Sequence, residues 1–377
     1  MELSILLPCF NEEKTIATCI KKASLACQKA EISHEIIVID NNSTDRSVIK
    51  AKSAGAKVIK QEKQGYGAAY IKGIQSAKGD YLFMADADDT YDLNDIPQFY
   101  KETKRGFSVV IGNRFSKKLG KGVMPWLHKH IGNPLISGLI NILFSSPVKD
   151  TQCGMRLIKT SLCRDLQLQS KGMEFASEMI IKLAKRKIPI KQLPITYAKR
   201  KSPSKLRSFS DGWQHFRFIF MMSPTITYLI PGLLLTVFSS LFIVLVFFGV
   251  LKLGSVIFNT HSLFVASILL IIGIQFLLTG YFSRVFAVTY LREDDRFIKR
   301  IQKSLTLEKG LFAGGLLFMI TVIWGLSILI SWIAQGFPEI DQVKLGIILF
   351  TFMIISLQII ASTFHFYTIK TINEEQW

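Results

Sequence analysis

Short apolar runs recur through the first half of the chain, LSILLP, HEIIVID, AKVIKQ, GDYLFMAD and FSVVIGN, separated by polar stretches that suit helices. This rhythm predicts a mostly parallel α/β sheet flanked by helices. After residue 225 it gives way to four long apolar segments, about 226–251, 262–283, 310–334 and 345–367. Each is long enough to cross about 30 Å of hydrocarbon as a helix. Four such runs in succession would leave a soluble domain almost no polar face, so an all-α transmembrane domain of four helices is expected. The division is then a mixed domain over 1–207, a juxtamembrane helix over 208–225 and a membrane domain over 226–377. Two shorter segments should lie at headgroup level without crossing. One is NPLISGLINILFSSP, 133–147, for which a core helix under the sheet is the alternative. The other is SFSDGWQHFRFIFMMSP, 208–224, which sets Trp213, Phe216 and Phe220 near one helical face with Arg217 beside them.

Charge adds an orientation. The connection between the second and third apolar segments holds Arg284, Arg292, Arg296, Lys299, Arg300, Lys303 and Lys309, whereas the other two connections hold only Lys252 and Lys344. The basic connection is expected on the cytoplasmic side, with the N-terminal domain and both termini there too. The chain would be a multi-pass integral membrane protein, of the plasma or inner membrane if prokaryotic. A second basic cluster runs from Lys182 to Arg217, and attraction to anionic headgroups explains much of the net charge of +18. Because the positives crowd the membrane junction and no nucleic-acid-reading motif is present, no nucleic acid partner is expected. Five cysteines, odd in number and without a CxxC pair, predict neither a disulfide framework nor a zinc site. No removable signal peptide is expected, since ELSILLPCF is too short and breaks at Pro8.

Five carboxylates crowd the stretch YLFMADADDTYDLNDIP, 81–97. If GDYLFMAD is a buried strand, Asp86 and Asp88 emerge at its carboxyl end, where ligands of open α/β sheets bind, and they point the same way. Two such carboxylates repel unless a divalent cation lies between them. Mg²⁺ commonly takes one or two carboxylates and completes its shell from substrate phosphates. The company matters as much as the pair: LLPCFNEE at the first strand end, IIVIDNNSTD at the second, KQGYGAAYIKGI upstream and IGNR after the fifth strand. The histidines His128, His130 and His215 share no ligand spacing with these carboxylates.

Together with DTQCGMRLI (150–158), GMEFASEM (172–179) and YAKRKSPSKLRSFSDGW (197–213), these stretches resemble family 2 glycosyltransferases with the GT-A type, Rossmann-like nucleotide-sugar-binding fold. Within that family they are similar to the branch of dolichyl-phosphate mannose and glucose synthases and bacterial polyprenyl-phosphate glycosyltransferases, DTQCG being especially similar to the glucose synthase. The resemblance covers residues 3 to about 220 and does not extend to the four-helix tail.

The resemblance implies inverting transfer of a hexose from a nucleotide sugar to a polyprenyl phosphate, with Mg²⁺ or Mn²⁺. UDP-glucose is the favoured donor and GDP-mannose the alternative. Pro8, Phe10, Asn11 and Glu12 would line the uridine or guanosine pocket, and Asp40 and Asn41 would contact base or ribose. Gly65 and Gly67 would allow close backbone approach to the nucleotide. Asp86 would hold ribose or metal, and Asp88 the metal. Thr90 stands where mannose-type members often have glutamine, and Ser202 or Pro203 where the family pattern has a glycine. Arg114, Arg200 and Lys205 would clamp phosphate groups. Asp150 and Glu178 could orient the acceptor or accept a proton; for both, an ion pair is the alternative, with Arg156 a candidate partner. The product would be a β-linked lipid sugar serving as donor for envelope or glycan modification. Two other classes are weighed. A lipid-sugar flippase with a nucleotide-sugar-sensing domain would need ionisable residues along its spans, and these are nearly absent. A processive synthase would need a QxxRW segment, and none is present. Homo-oligomerisation is left open.

Overall fold

The computed structural model describes residues 1–117, 120, 122–201, 208–250, 252–253, 256–290, 295–336 and 343–374. Lys205, Ser202, Pro203 and Arg292 lie outside the described residues. The chain divides into two compact units, Met1–Met222 and Ser223–Trp377.

The first unit is built on seven strands: β1 (Leu3–Cys9), β2 (His34–Asp40), β3 (Lys57–Lys60), β4 (Tyr81–Met84), β5 (Val109–Asn113), β6 (Arg156–Lys159) and β7 (Lys191–Pro194). Their spatial order is β3-β2-β1-β4-β6-β5-β7. All neighbours are parallel except β6, which runs antiparallel to both β4 and β5. The sheet is thus mostly parallel, as expected, and the five runs read from the pattern are β1 to β5. Leu3, Ile5, Leu6 and Leu7 of β1 are wholly buried, the signature of a central strand covered on both faces.

Helices of this unit that matter for the site are α1 (Ile16–Lys29), α2 (Ser47–Ser53), α3 (Tyr66–Ser76), α4 (Ile96–Thr103), α5 (Asn133–Phe144), α6 (Thr160–Asp165), α7 (Phe175–Lys185) and α8 (Ser208–Met221). The chain leaves β1 toward β2 and β3 on one side and returns through α3 to β4 on the other. The strand order therefore reverses between β1 and β4, and the crevice beyond their carboxyl ends is where such sheets bind ligands.

The two segments expected at headgroup level are one-sided helices. α5 buries Ile136 and Ile140 and exposes Leu135 and Ile142, while α8 buries His215 and Ile219 and exposes Trp213 and Met221. α8 packs on α5 and α7 and so belongs to the first unit, rather than standing apart over 208–225.

Among the described residues of the second unit, four helices are long and apolar enough to cross a membrane, over Thr225–Phe247, Thr260–Thr289, Leu307–Ala334 and Val343–Thr368. They correspond to α9 (Ile230–Phe247) with the turn before it, α10 (Thr260–Tyr290), α12 (Leu307–Ala334) and α13 (Val343–Glu374). α10 packs against α9 and α13, and α13 against α12. The basic connection holds one further helix, α11 (Arg296–Ser304), which the sequence pattern did not separate. Its Ile298 is buried beside Val285 and Phe366, Asp295 before it pairs with Arg284, and Arg296, Lys299 and Arg300 face outward.

Candidate active site

Asp86 and Asp88 leave the end of β4 on a loop fixed from several sides. Asp88 Oδ1 accepts from the Thr90 amide at 3.1 Å and its hydroxyl at 2.6 Å. Thr90 therefore aims Asp88. The second carboxylate oxygen of Asp88 lies 3.3 Å from Arg200 Nε. Asp86 Oδ1 accepts from the Tyr66 hydroxyl at 3.1 Å. In front of Asp86 Oδ2 stands Gly154, where a Cβ would come within 3.1 Å of that oxygen. Burial first, and the neighbouring Asp88 second, raise the Asp86 pKa well above the usual carboxylate range, against the Tyr66 hydrogen bond and the more distant Arg200 and Arg114.

That electrostatic strain tests the fit of a divalent cation. An oxygen of each carboxylate is free of amide and hydroxyl donors, the glycine keeps the space before Asp86 open, and like charges are held together at the binding edge of the sheet. No group of three or more metal-ligating side chains exists among the described residues. The protein can thus offer two carboxylates and leave the remaining positions to phosphate oxygens and water, which suits Mg²⁺ or Mn²⁺.

Arg200 arrives on a strap that runs back along this loop. Tyr197 bridges Tyr91, and the Ala198 amide donates to Thr90 O at 2.8 Å. Three residues later the Arg200 fork reaches Glu12 Oε1 at 2.6 Å as well as Asp88. Burial works against its charge, but Asp88 and Glu12 more than compensate and raise its pKa. Lys201 pairs with Asp89 at 2.6 Å, and Lys22 of α1 meets the other oxygen of Asp89 at 2.7 Å. Sequence reasoning singled out neither Asp89, Lys22, Tyr66 nor Gly154; the final glycine of DTQCG was the available signal for the last.

At the ends of β1 and β2, Pro8 pairs in register with Ile39, and Phe10 follows β1. Asn11 adopts φ 53° and its side-chain oxygen accepts from the Thr44 amide at 2.8 Å, while Asp40 accepts from the Ser43 amide at 3.0 Å. These residues shape one rim of the crevice together with Glu12. Asn41 has a different task from the expected base contact. Its amide nitrogen donates to Gln61 O and Lys63 O, and its oxygen accepts from the Gly65 amide at 2.8 Å, so it staples the loop that enters α3.

The glycines of that loop also differ from expectation. A Cβ at Gly65 would stand 2.2 Å from Lys171 O, and one at Gly67 2.1 Å from Ser170 O. The first amides of α3 are spent on the same loop, Gly67 N to Gly172 O and Ala68 N to Lys171 O. Close approach is what the glycines permit, but to protein backbone. Gly67→Ala should cost about 1–3 kcal/mol through overpacking, read as an earlier thermal unfolding midpoint of the purified protein.

Glu178 holds the other side of this contact. Its carboxylate accepts from the Ser170 amide at 2.8 Å and the Gln169 amide at 3.0 Å, and pairs with Lys182 at 2.7 Å. Asp150 is wholly buried and receives Arg114 in a two-pronged pair, Nε to Oδ2 and Nη2 to Oδ1 at 2.8 Å each, plus the Arg114 amide at 3.1 Å. The guanidinium also faces the Tyr197 ring at 5.3 Å. Arg114, Asp150 and Glu178, expected as phosphate clamp and bases, are therefore engaged as internal braces. Arg156 pairs with neither acid; it donates to the carbonyls of Cys153, Ala176 and Thr151. All five cysteines are buried and free.

Residues 4–167 match the family described as glycosyl transferase family 2, and residues 281–370 match the glycosyltransferase family 2 C-terminal transmembrane region, so the family likeness reaches into the four-helix tail, where the sequence motifs had given none. The low-salt glycan biosynthesis hexosyltransferase Agl6 of Haloferax volcanii is 33% identical over 363 residues, covering 96% of this chain and 87% of that protein. A dolichyl-phosphate hexose transferase of the same organism is 30% identical over 211 residues, covering 56% of this chain and 89% of that protein. Among solved structures, glucosyl-3-phosphoglycerate synthase from Mycobacterium tuberculosis aligns with a TM-score of 0.49 at 20% identity, covering 59% of this chain and 80% of that one.

Proposed function

The chain belongs to glycosyl transferase family 2 and is a glycosyltransferase, and within that class we propose that it transfers a hexose, from UDP-glucose in preference to GDP-mannose, to a polyprenyl phosphate. The observation that carries this reading is the Asp86–Asp88 pair at the end of β4 with Arg200 already within 3.3 Å of Asp88. Such a constellation is built for a dianionic or trianionic leaving group.

The acceptor phosphate supplies its own nucleophile, since its second pKa is about 6 and it is largely dianionic at neutral pH. A protein base is not needed, in keeping with Asp150 and Glu178 being occupied elsewhere. The phosphate oxygen attacks the anomeric carbon as the bond to the nucleotide diphosphate breaks. A divalent cation held by Asp86 and Asp88 would neutralise charge on the diphosphate. Arg200 supplies a second, planar cation beside it, pre-oriented by Glu12. Tyr66 and Thr90 fix the two carboxylates so that little rearrangement is needed when the donor binds. The crevice rim from Pro8 to Glu12, with Asp40, takes the nucleoside.

One displacement inverts configuration, so an α-linked donor should give a β-linked lipid phosphate sugar. The test is mass spectrometry of lipid products after incubating purified protein with polyprenyl phosphate and a panel of nucleotide sugars, with NMR of the anomeric proton. An α-linked product would sink the single-displacement mechanism, and transfer only to a free oligosaccharide would sink the acceptor.

The basic connection carrying α11 is proposed to face the cytoplasm with the first unit and both termini. A cysteine introduced at Arg300 should react with a membrane-impermeant thiol reagent from the cytoplasmic side only, over a low background because the native cysteines are buried. Labelling from the opposite side would reverse the orientation.

A further inference from the structure

A chain of polar side chains runs through the interior of the first unit, from α8 to the loop that ends at Gly154. His215 of α8 lies through Nδ1 2.9 Å from the Ser177 hydroxyl of α7, and both residues are buried. The same hydroxyl accepts from Gln152 Nε2 at 3.0 Å, and that amide group also donates to Thr151 Oγ1 at 3.1 Å. Thr151 closes the chain on α5. Its hydroxyl is 3.0 Å from that of Ser137, which also accepts the Thr151 amide at 3.2 Å. The neighbours of Ser137 and His215 on the buried faces of α5 and α8 are Ile136, Ile140 and Ile219. An imidazole and a hydroxyl on such faces are costly to bury unless bonded, and once bonded they hold their partners in one arrangement.

What they hold is the loop 151–154, whose far end bears on the carboxylate pair. A Cβ at Gly154 would come within 3.1 Å of Asp86 Oδ2 and 3.2 Å of the Tyr66 and Tyr91 hydroxyls. The Gly154 amide donates to the Tyr91 hydroxyl at 2.8 Å, and Tyr91 bridges Tyr197 at the root of the strap bearing Arg200. Arg156 fixes the carbonyls of Thr151 and Cys153 from within the sheet. The side chains of the loop are fixed by the other chain of bonds, from Ser137 and Ser177.

We propose that His215 is a positioning residue for the transfer reaction, acting through Ser177 and Gln152 to hold Gly154 against Asp86 and Tyr91. The inference rests on the cation and diphosphate reading of the Asp86–Asp88 pair given above. Ser177 accepts from Gln152 and has one hydroxyl hydrogen to give, so His215 Nδ1 receives it and acts as the acceptor that orients the serine. The serine in turn orients the Gln152 amide, and Gln152 with Thr151 sets the path of the chain into Gly154. Loss of the imidazole frees the first link. The loop then loosens at the place where it confines one cation-holding carboxylate and the root of the strap that carries Arg200.

The test compares His215→Leu with His215→Asn in the purified full chain. Asparagine brings an amide oxygen near the place of Nδ1 and can accept from Ser177; leucine cannot. Amide hydrogen exchange reads the loop without cation or substrate. In His215→Leu the Thr151 and Gly154 amides should exchange about tenfold faster, the scale of one lost buried hydrogen bond, and His215→Asn should bring them back toward the native rate. Calorimetric titration with Mn²⁺ in the presence of UDP, well below the unfolding midpoint, should show affinity about tenfold weaker for His215→Leu and restored for His215→Asn. A residue that only fills space would lower the thermal midpoint and move neither readout. Gln152→Met cuts the next link and carries the same two expectations if His215→Leu does not fold. The double variant should be no worse than the worse single one, since both act on one path. Unchanged exchange across 150–156, faster exchange with undiminished cation affinity, no rescue by asparagine, or multiplied effects in the double variant each overturn the proposal. If the native chain takes up no Mn²⁺ with UDP, the cation reading falls by itself. Faster exchange and a lower kcat in His215→Leu, both restored by asparagine, then still support the positioning role.

Discussion

Replacing Asp88 with Asn should lower turnover by about a hundredfold to a thousandfold while the thermal midpoint stays close to that of the native chain. The side chain keeps its shape and can still accept from Thr90 through the amide oxygen, so the loop after β4 retains its path. What disappears is half of the negative charge that would hold the cation, together with the partner of Arg200 Nε. Calorimetric titration with Mg²⁺ or Mn²⁺ in the presence of a nucleoside diphosphate should show the affinity collapsing in parallel. Arg200→Ala should act differently. It removes a cation from the leaving group while sparing the two carboxylates, so turnover falls by a similar factor while metal affinity is kept or rises, since a competing positive charge is gone. Full activity of Asp88→Asn, or full activity of the native chain in excess chelator, would remove the cation from the site.

How far the sequence anticipates this site depends on whether the partner of each residue is local. β1 to β5 are apolar runs bounded by turn residues, and their carboxyl ends mark the crevice directly. β6 is four residues long, buried along Arg156, Leu157 and Ile158, and hidden in the tail of DTQCGMRLI; only its insertion between β4 and β5 makes it a strand. β7, KQLP, ends in a proline and carries a lysine, which suits a sheet edge and little else. Asp86 and Asp88 are legible because two residues share one strand end. Glu12 and Arg200 are 188 positions apart, and no periodicity announces that they meet. Gly65 and Gly67 show the same limit from the other side. The sequence signals a close approach, but the approaching backbone, residues 170–172, is brought there by Glu178 from another helix. Glu178 was open to two readings, a group that orients the acceptor or accepts a proton and an ion pair in a basic neighbourhood; its carboxylate takes two backbone amides and Lys182, as the second reading has it.

Asp150 gives the sharpest contrast between brace and base. Its carboxylate is fully buried, and both oxygens are taken by Arg114, which is itself nearly inaccessible. Taking one charge away strands the other in a poorly polarisable interior, at a cost of about 3–5 kcal/mol. Asp150→Ala should therefore lower the thermal midpoint by several degrees or more and reduce the yield of folded protein, where a catalytic base would lose turnover in a chain that melts normally. The double substitution Arg114→Met with Asp150→Leu tests the cause. With no unpaired charge left, stability should recover in large part, as buried pairs replaced by apolar groups of similar volume often do. Activity of the double variant carries the second half of the result. The Arg114–Asp150 pair sits where β5 meets the DTQCG loop, whose Gly154 faces Asp86, and the Arg114 guanidinium lies over Tyr197 at the root of the strap bearing Arg200. If the pair only holds these elements in place, a stable double variant should still turn over, more slowly through loosened geometry. A stable but inert double variant would return Asp150 or Arg114 to the chemistry itself.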